Sequence, residues 1–140
     1  MADVLKKVPV REQDPKVRAT NFDEVCLGYN KEEAMEEASR CLHCKNAKCV
    51  QGCPVSINIP DFIKEVKEGN FEEAYKVISM SSALPAICGR VCPQESQCEG
   101  KCIRGIKGES VSIGKLERFV ADWARENGIK PTAPAEKNGK

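Results

Sequence analysis

The chain has 140 residues, enough for one domain and a tail. Its 22 Lys and Arg against 21 Asp and Glu leave it close to neutral, so there is no electrostatic case for a nucleic-acid partner. No apolar run approaches the roughly 18 residues needed to cross a bilayer. The start, MADVLKKVPVREQDP, has no apolar core behind its lysines; it is not a signal peptide, and the cytoplasm is the expected location.

Residues 1–29, broken by Pro9 and Pro15, read as an extended polar arm that lies on a neighbouring surface. Asn30-Lys31-Glu32-Glu33 is an Asn-x-x-Glu start signal and opens a helix, KEEAMEEASR, that runs straight into Cys41. Asn58 and Pro60 start a second helix with Phe62, Ile63 and Val66 as its apolar stripe, and Gly69 stops it. Asn70-Phe71-Glu72-Glu73 repeats the start signal for a third helix, with Phe71, Ala74, Tyr75 and Ile78 on one face. Pro85 interrupts the stretch after it. Ser112 caps a fourth helix, IGKLERFVADWARE, whose stripe is Leu116, Phe119, Val120 and Trp123, and Asn127-Gly128 ends it. No run alternates long enough to be a strand. Residues 30–127 thus read as a helical domain, and 128–140, with KPTAPAEKNGK, as a solvated linker leading on into a longer parent chain.

Nine cysteines are many for this length, and large aromatic side chains are few, so bound metal is expected to supply part of the stability. A reducing compartment and an odd count both argue against a disulfide framework. The first group, CLHCKNAKCVQGCP, is C-x2-C-x4-C-x3-C-P. The bacterial two-cluster ferredoxin run, C-x2-C-x2-C-x3-C-P, differs by two residues in the middle gap, and its last cysteine serves the other cluster. Close spacing lets three thiolates on one loop hold three corners of an Fe4S4 cube, with the fourth corner coming from elsewhere. The second group, CGRVCPQESQCEGKC, supplies Cys92, Cys98 and Cys102, with Cys88 nearby. Eight ligands make two clusters, and crosswise sharing would set them close together, as an electron relay requires. A structural zinc module that docks subunits is the rival, but zinc usually takes two separated pairs of ligands. A Rieske centre needs two histidines, and His43, a loop residue between ligands, is the only one. Cys26 stands apart in the arm as a small buried apolar residue.

The ten glycines build no G-x-G-x-x-G or Walker A loop, and one histidine among candidate ligands makes no credible catalytic triad. The chain looks like a wire rather than a catalyst.

Several stretches together resemble one family: Asn21-Phe22-Asp23-Glu24-Val25, Glu33-Ala34 leading to Arg40-Cys41-Leu42, CVQGCPVSINIPDFI, ALPAICGRVCPQESQCEGKC and SIGKLERFVADW. The pattern is similar to the N-terminal iron–sulfur domain of the glutamate synthase small subunit. The same domain occurs in dihydropyrimidine dehydrogenase and in the flavoprotein subunit of the bifurcating, NADH-dependent ferredoxin:NADP transhydrogenase. The resemblance implies an all-α, two-cluster ferredoxin-like fold, followed in the parent protein by a region binding FAD and NADPH, and a large catalytic subunit as partner. It implies electron transfer from NAD(P)H through FAD and two 4Fe-4S clusters, which in glutamate synthase ends in glutamate biosynthesis. One cluster would take Cys41, Cys44, Cys49 and Cys102; the other Cys53, Cys92, Cys98 and an oxygen ligand on the last helix that falls on Glu117. From the residues alone Cys88 is the more obvious eighth ligand. Glu117, between Ile113 and Val120 on the flank of the apolar stripe, can nonetheless face inward.

Overall fold

In the computed structural model, which describes residues 4–131 and 133–139, the arm carries more structure than its composition announces. The remainder of the arm, residues 1–3, and Thr132 and Lys140 of the tail lie outside the described residues. Strand β1 (Arg11–Glu12) pairs antiparallel with β2 (Cys26–Gly28), and the short helix α1 (Pro15–Arg18) lies between them. This ladder corrects the expectation of no strand. At two and three residues, its strands are too short to show alternation. Asp14 caps α1 by accepting from the Lys16 amide, and Gln13 ties the loop shut by donating to the carbonyls of Asp23 and Glu24.

Helix α2 (Lys31–Ser39) begins as its signal dictates. The Glu33 amide donates to Asn30 Oδ1 and the Asn30 amide donates back to Glu33 Oε2, both at 2.8 Å. A short helix α3 (Lys48–Gln51) follows, then α4 (Ile59–Lys67) and α5 (Phe71–Ser79). These two start at the expected residues, but not by side-chain capping. Asn58 donates instead to Asp61 Oδ2 and Asn70 to Glu65 Oε2. Gly69, at φ 80°, ends α4 in the left-handed region that glycine adopts without strain. Pro85 does not interrupt structure; it occupies the first turn of helix α6 (Pro85–Val91), where a missing N–H costs nothing. Three single-turn 3-10 segments (Gln94–Ser96, Glu99–Lys101, Ile103–Ile106) lead to α7 (Ile113–Glu126). Ser112 makes no side-chain cap there.

Helix α6 lies along α7, α5 packs on both α4 and α7, and α2 packs on α4. The predicted stripes meet in one core that includes Ile59, Phe62, Ile63, Val66, Ile78, Leu116 and Val120. Each such side chain contributes roughly 1.5–3 kcal/mol by leaving water. Phe71 stands edge-on to Phe119 and to Trp123, with centroids 5.0 and 5.5 Å apart, and so fastens α5 to α7.

At one end of this core lies a buried ion pair. Arg40 Nη1 is 2.6 Å from Glu37 Oε1, and both side chains are fully buried. The Val8 and Ser112 amides donate to the same carboxylate. Arg40 also donates to the carbonyls of Glu109 and Ser110, and Arg104 Nε donates to the Arg40 carbonyl. Arm, α2 and the segment before α7 thus converge on one satisfied charge pair. Among the described residues no helix is long and apolar enough to cross a membrane.

Candidate metal centre

Cys41 follows α2 after the Arg40 C-cap, Cys44 lies in the next loop, Cys49 is on α3, and Cys102 closes the Glu99–Lys101 turn. These four line one pocket with Ile59, Ile63, Val111 and Ile113. The turn at His43 (φ 48°) folds the loop back, so the His43 amide points at Cys41 Sγ, 3.5 Å away. Burial pushes the Cys41 thiol up, helped by the neighbouring Cys102 and Cys44. Burial likewise pushes Cys49 up to about 11, with Cys102 and Cys41 next to it. Cys41 and Cys49, raised by burial, keep their protons unless a cationic group takes them, and four sulfurs around one apolar pocket fit a positively charged metal core.

The second set gathers around α7. Cys53 follows α3, Cys92 caps the C-terminus of α6, and Cys98 is buried at the start of the next turn. Cys92 is raised by burial first, then by the Cys88 thiol, which also hydrogen-bonds to it, and by Glu117 and Cys53. Cys98 is pushed up to about 12 by burial first, with Glu99, Cys53 and Glu117 close by. Glu117 is only 7% exposed, and its Oε1 is buried with no hydrogen-bond partner. Burial alone pushes this carboxyl up to about 7. A buried, unsatisfied carboxylate oxygen costs the fold stability unless something binds it, and here it neighbours the Cys92 and Cys98 thiols.

The two sets interlock. Cys49 and Cys53 flank the end of α3, and Cys98 and Cys102 flank the Glu99–Lys101 turn, which packs on α3. A Cβ on Gly52 would lie 2.6 Å from the Gln97 carbonyl, so only glycine permits this approach. Gly89 does the same for α6: its Cβ would lie 2.6 Å from the Arg118 amide nitrogen. That closeness accompanies the approach of Cys92, at the end of α6, to Glu117 on α7. Glu99, held by Lys7 Nζ at 2.6 Å, accepts from the Gly114 amide and pins its turn to α7.

The structure thus brings Cys41, Cys44, Cys49 and Cys102 to one pocket; Cys92 and Cys98 each neighbour both Cys53 and Glu117, and Cys88 lies beside Cys92, half-buried. Cys26 is half-buried rather than buried, with Lys115 Nζ 3.7 Å from its sulfur, because β2 is a surface strand. His43 lines a surface groove beside the first set. The sequence assigns Glu37, Arg40, Gly89 and Arg104 no structural or ligand role, although Arg40 and Gly89 lie in stretches that carry the resemblance. Only an arginine three residues after a helix glutamate hints at the first pair. Gly89 beside a cysteine is the one local hint of close helix approach.

A family model described as dihydropyrimidine dehydrogenase domain II, 4Fe-4S cluster, matches residues 18–129. The chain is 41% identical over 125 residues to the glutamate synthase (NADPH) small chain of Azospirillum brasilense, covering 87% of this chain and 26% of that protein. Against the small chain of Halomonas elongata it is 39% identical over 129 residues, covering 89% and 27%. Against the NAD-dependent dihydropyrimidine dehydrogenase subunit PreT of Escherichia coli K12 it is 37% identical over 116 residues, covering 83% and 28%. The chain spans about a quarter of the length of these relatives.

Proposed function

The chain belongs to the dihydropyrimidine dehydrogenase domain II family of 4Fe-4S domains, and we propose that it is a two-cluster electron-transfer domain of an NAD(P)H-dependent oxidoreductase. Cys41, Cys44, Cys49 and Cys102 hold one cluster; Cys53, Cys92, Cys98 and Glu117 hold the other, with Cys88 off the iron. The fold is a small, essentially helical two-cluster ferredoxin-like domain. The observation that carries the reading is Glu117: a buried carboxylate oxygen without a hydrogen bond, beside the raised thiols of Cys92 and Cys98. Nothing in a plain helical core accounts for it; an iron ligand does.

When bound, each cluster supplies one-electron redox chemistry with little ligand movement. The chain's own residues do the rest. Ile59, Ile63, Val111 and Ile113 give the first set an apolar wall, the His43 amide points at a ligand sulfur, and α3 packs on the Glu99–Lys101 turn between the two sets. Cys41, Cys44, Cys49 and Cys102 line one shared pocket, an arrangement that suits the corners of a polynuclear group.

In this reading electrons arrive from an FAD- and NAD(P)H-binding region and leave to a large catalytic subunit, as in glutamate synthase, in the cytoplasm. Relatives named for glutamate synthase and for dihydropyrimidine dehydrogenase match at similar identity, so the shared step is the relay, whatever the final acceptor. Protein purified without oxygen is expected to be brown, with about eight irons and eight sulfides per chain, counting four per cubane. A colourless, fully folded protein holding zinc and no sulfide would overturn the proposal.

A further inference from the structure

The first cysteine set opens onto a surface unlike the rest of the molecule. Its pocket is bordered by Lys48, Lys101 and Arg104, with Leu42 and Ile103 exposed beside them, and no carboxylate lines it. A second depression adjoins the pocket through Cys44, Ala47 and Pro60; it adds Lys45 and Lys64 against one acid, Asp61. Five cations to one carboxylate stand here in a chain whose formal net charge is +1. Lys45, Lys48, Lys64 and Lys101 are exposed, and among the described residues their ammonium groups pair with no carboxylate. The surface near the second set differs: the outer face of α6 presents Leu84, Ile87 and Val91 and no free cation.

We propose that the basic rim of the first set is the docking surface for an acidic protein that carries single electrons; this rests on reading Cys41, Cys44, Cys49 and Cys102 as a cluster site. Charge complementarity fits the task. Unpaired ammonium groups around an opening steer an acidic face toward it and orient it on arrival. Leu42 and Ile103 give the contact an apolar centre, and the lysines give it a polar rim. One electron passes from the partner to the domain, or back, and no atom is transferred. If the cations served only to offset the thiolates they border, Lys45 and Lys64 in the adjoining depression would have no part to play.

The test uses the cluster-loaded chain, with oxidised flavodoxin, an acidic redox protein, as the probe, titrated at low and at physiological ionic strength. The parent is expected to associate at low ionic strength and to weaken as salt is added. Lys48→Glu with Lys101→Glu is expected to weaken association by about tenfold or more, the lower end of electrostatic steering effects. Lys31→Glu with Lys130→Glu changes the net charge equally at the start of α2 and beyond the end of α7, and should leave association within about twofold. Should the first pair lose its cluster, Lys45→Glu with Lys64→Glu replaces it. Iron, sulfide and EPR on every sample separate the two levels: a parent without clusters defeats the function itself. A loaded parent that does not bind flavodoxin at low ionic strength, or that responds equally to both double variants, overturns the docking surface alone.

Discussion

Replacing Glu117 by leucine should act in opposite directions on the empty and the loaded domain. The side chain is buried, unpartnered at Oε1 and held near 7 rather than 4.5 by burial alone. The folded state therefore keeps the proton more tightly than the unfolded one. Its contribution is fully present below the unfolded value and is lost as pH rises through about 7. At 1.36 kcal/mol per pH unit, the ionised carboxyl costs the empty fold about 3 kcal/mol above that point. Chelator-stripped Glu117→Leu should thus exceed the parent in urea unfolding by about 3 kcal/mol near pH 8, and by much less near pH 5. Glu117→Gln, similar in size and uncharged, separates the lost charge from the gained apolar contact. The loaded variant should go the other way: iron and sulfide fall to about half, from roughly eight to roughly four per chain, and one of two EPR signals disappears. Both signals surviving in loaded Glu117→Leu would refute the ligand role. A stripped variant no more stable than the parent near pH 8 would refute the burial argument.

Arg40→Met strands the Glu37 carboxylate in the core and should cost about 3–5 kcal/mol in denaturant unfolding, with the first cluster lost before the second on anaerobic warming. Gly89→Ala places a methyl 2.6–2.8 Å from the Arg118 backbone; it should lift α6 from α7 and lower second-cluster content, read by iron analysis and EPR, while sparing the first. Glu24 is held below the usual carboxylate range, chiefly by its hydrogen bond from Arg90. Its contribution is present above the unfolded value and is lost as pH falls through the folded one. Acidification should therefore cost the parent more stability than Glu24→Gln. Because the pair is half exposed, the difference should stay under about 1 kcal/mol in urea titrations across the acid range.

The helices legible in the sequence are those with room to declare a period. Helices α2, α4, α5 and α7 are each nine residues or longer, and each carries its stripe or start signal openly. Helices α3 and α6 are too short for periodicity, and Pro85 reads as a break because only the six residues after it reveal a first-turn role. Three capping residues mark the right places without capping, since Asn58 and Asn70 have acidic neighbours to bond instead. At the site, cysteine spacing carries most of the information because metal ligands must lie close in the chain or return to it. Glu117 is hidden for the opposite reason. A glutamate on an amphipathic helix looks solvated, and only the close approach of α6 at Gly89 turns that flank inward. Glu37 is hidden likewise, in a run of charged residues of which it alone is fully buried along with Arg40.

The convergence on Arg40 bears on how such a domain is filled. The halves of the chain that bring Cys41 and Cys102 together are already joined by Arg40 to the carbonyls of Glu109 and Ser110, and by Arg104 to the Arg40 carbonyl. None of these bonds involves sulfur or needs iron. A receptacle whose walls are fastened independently of its contents can be emptied by oxidation and charged again without being rebuilt, so repair in a living cell would call for fresh iron and sulfide rather than a new polypeptide.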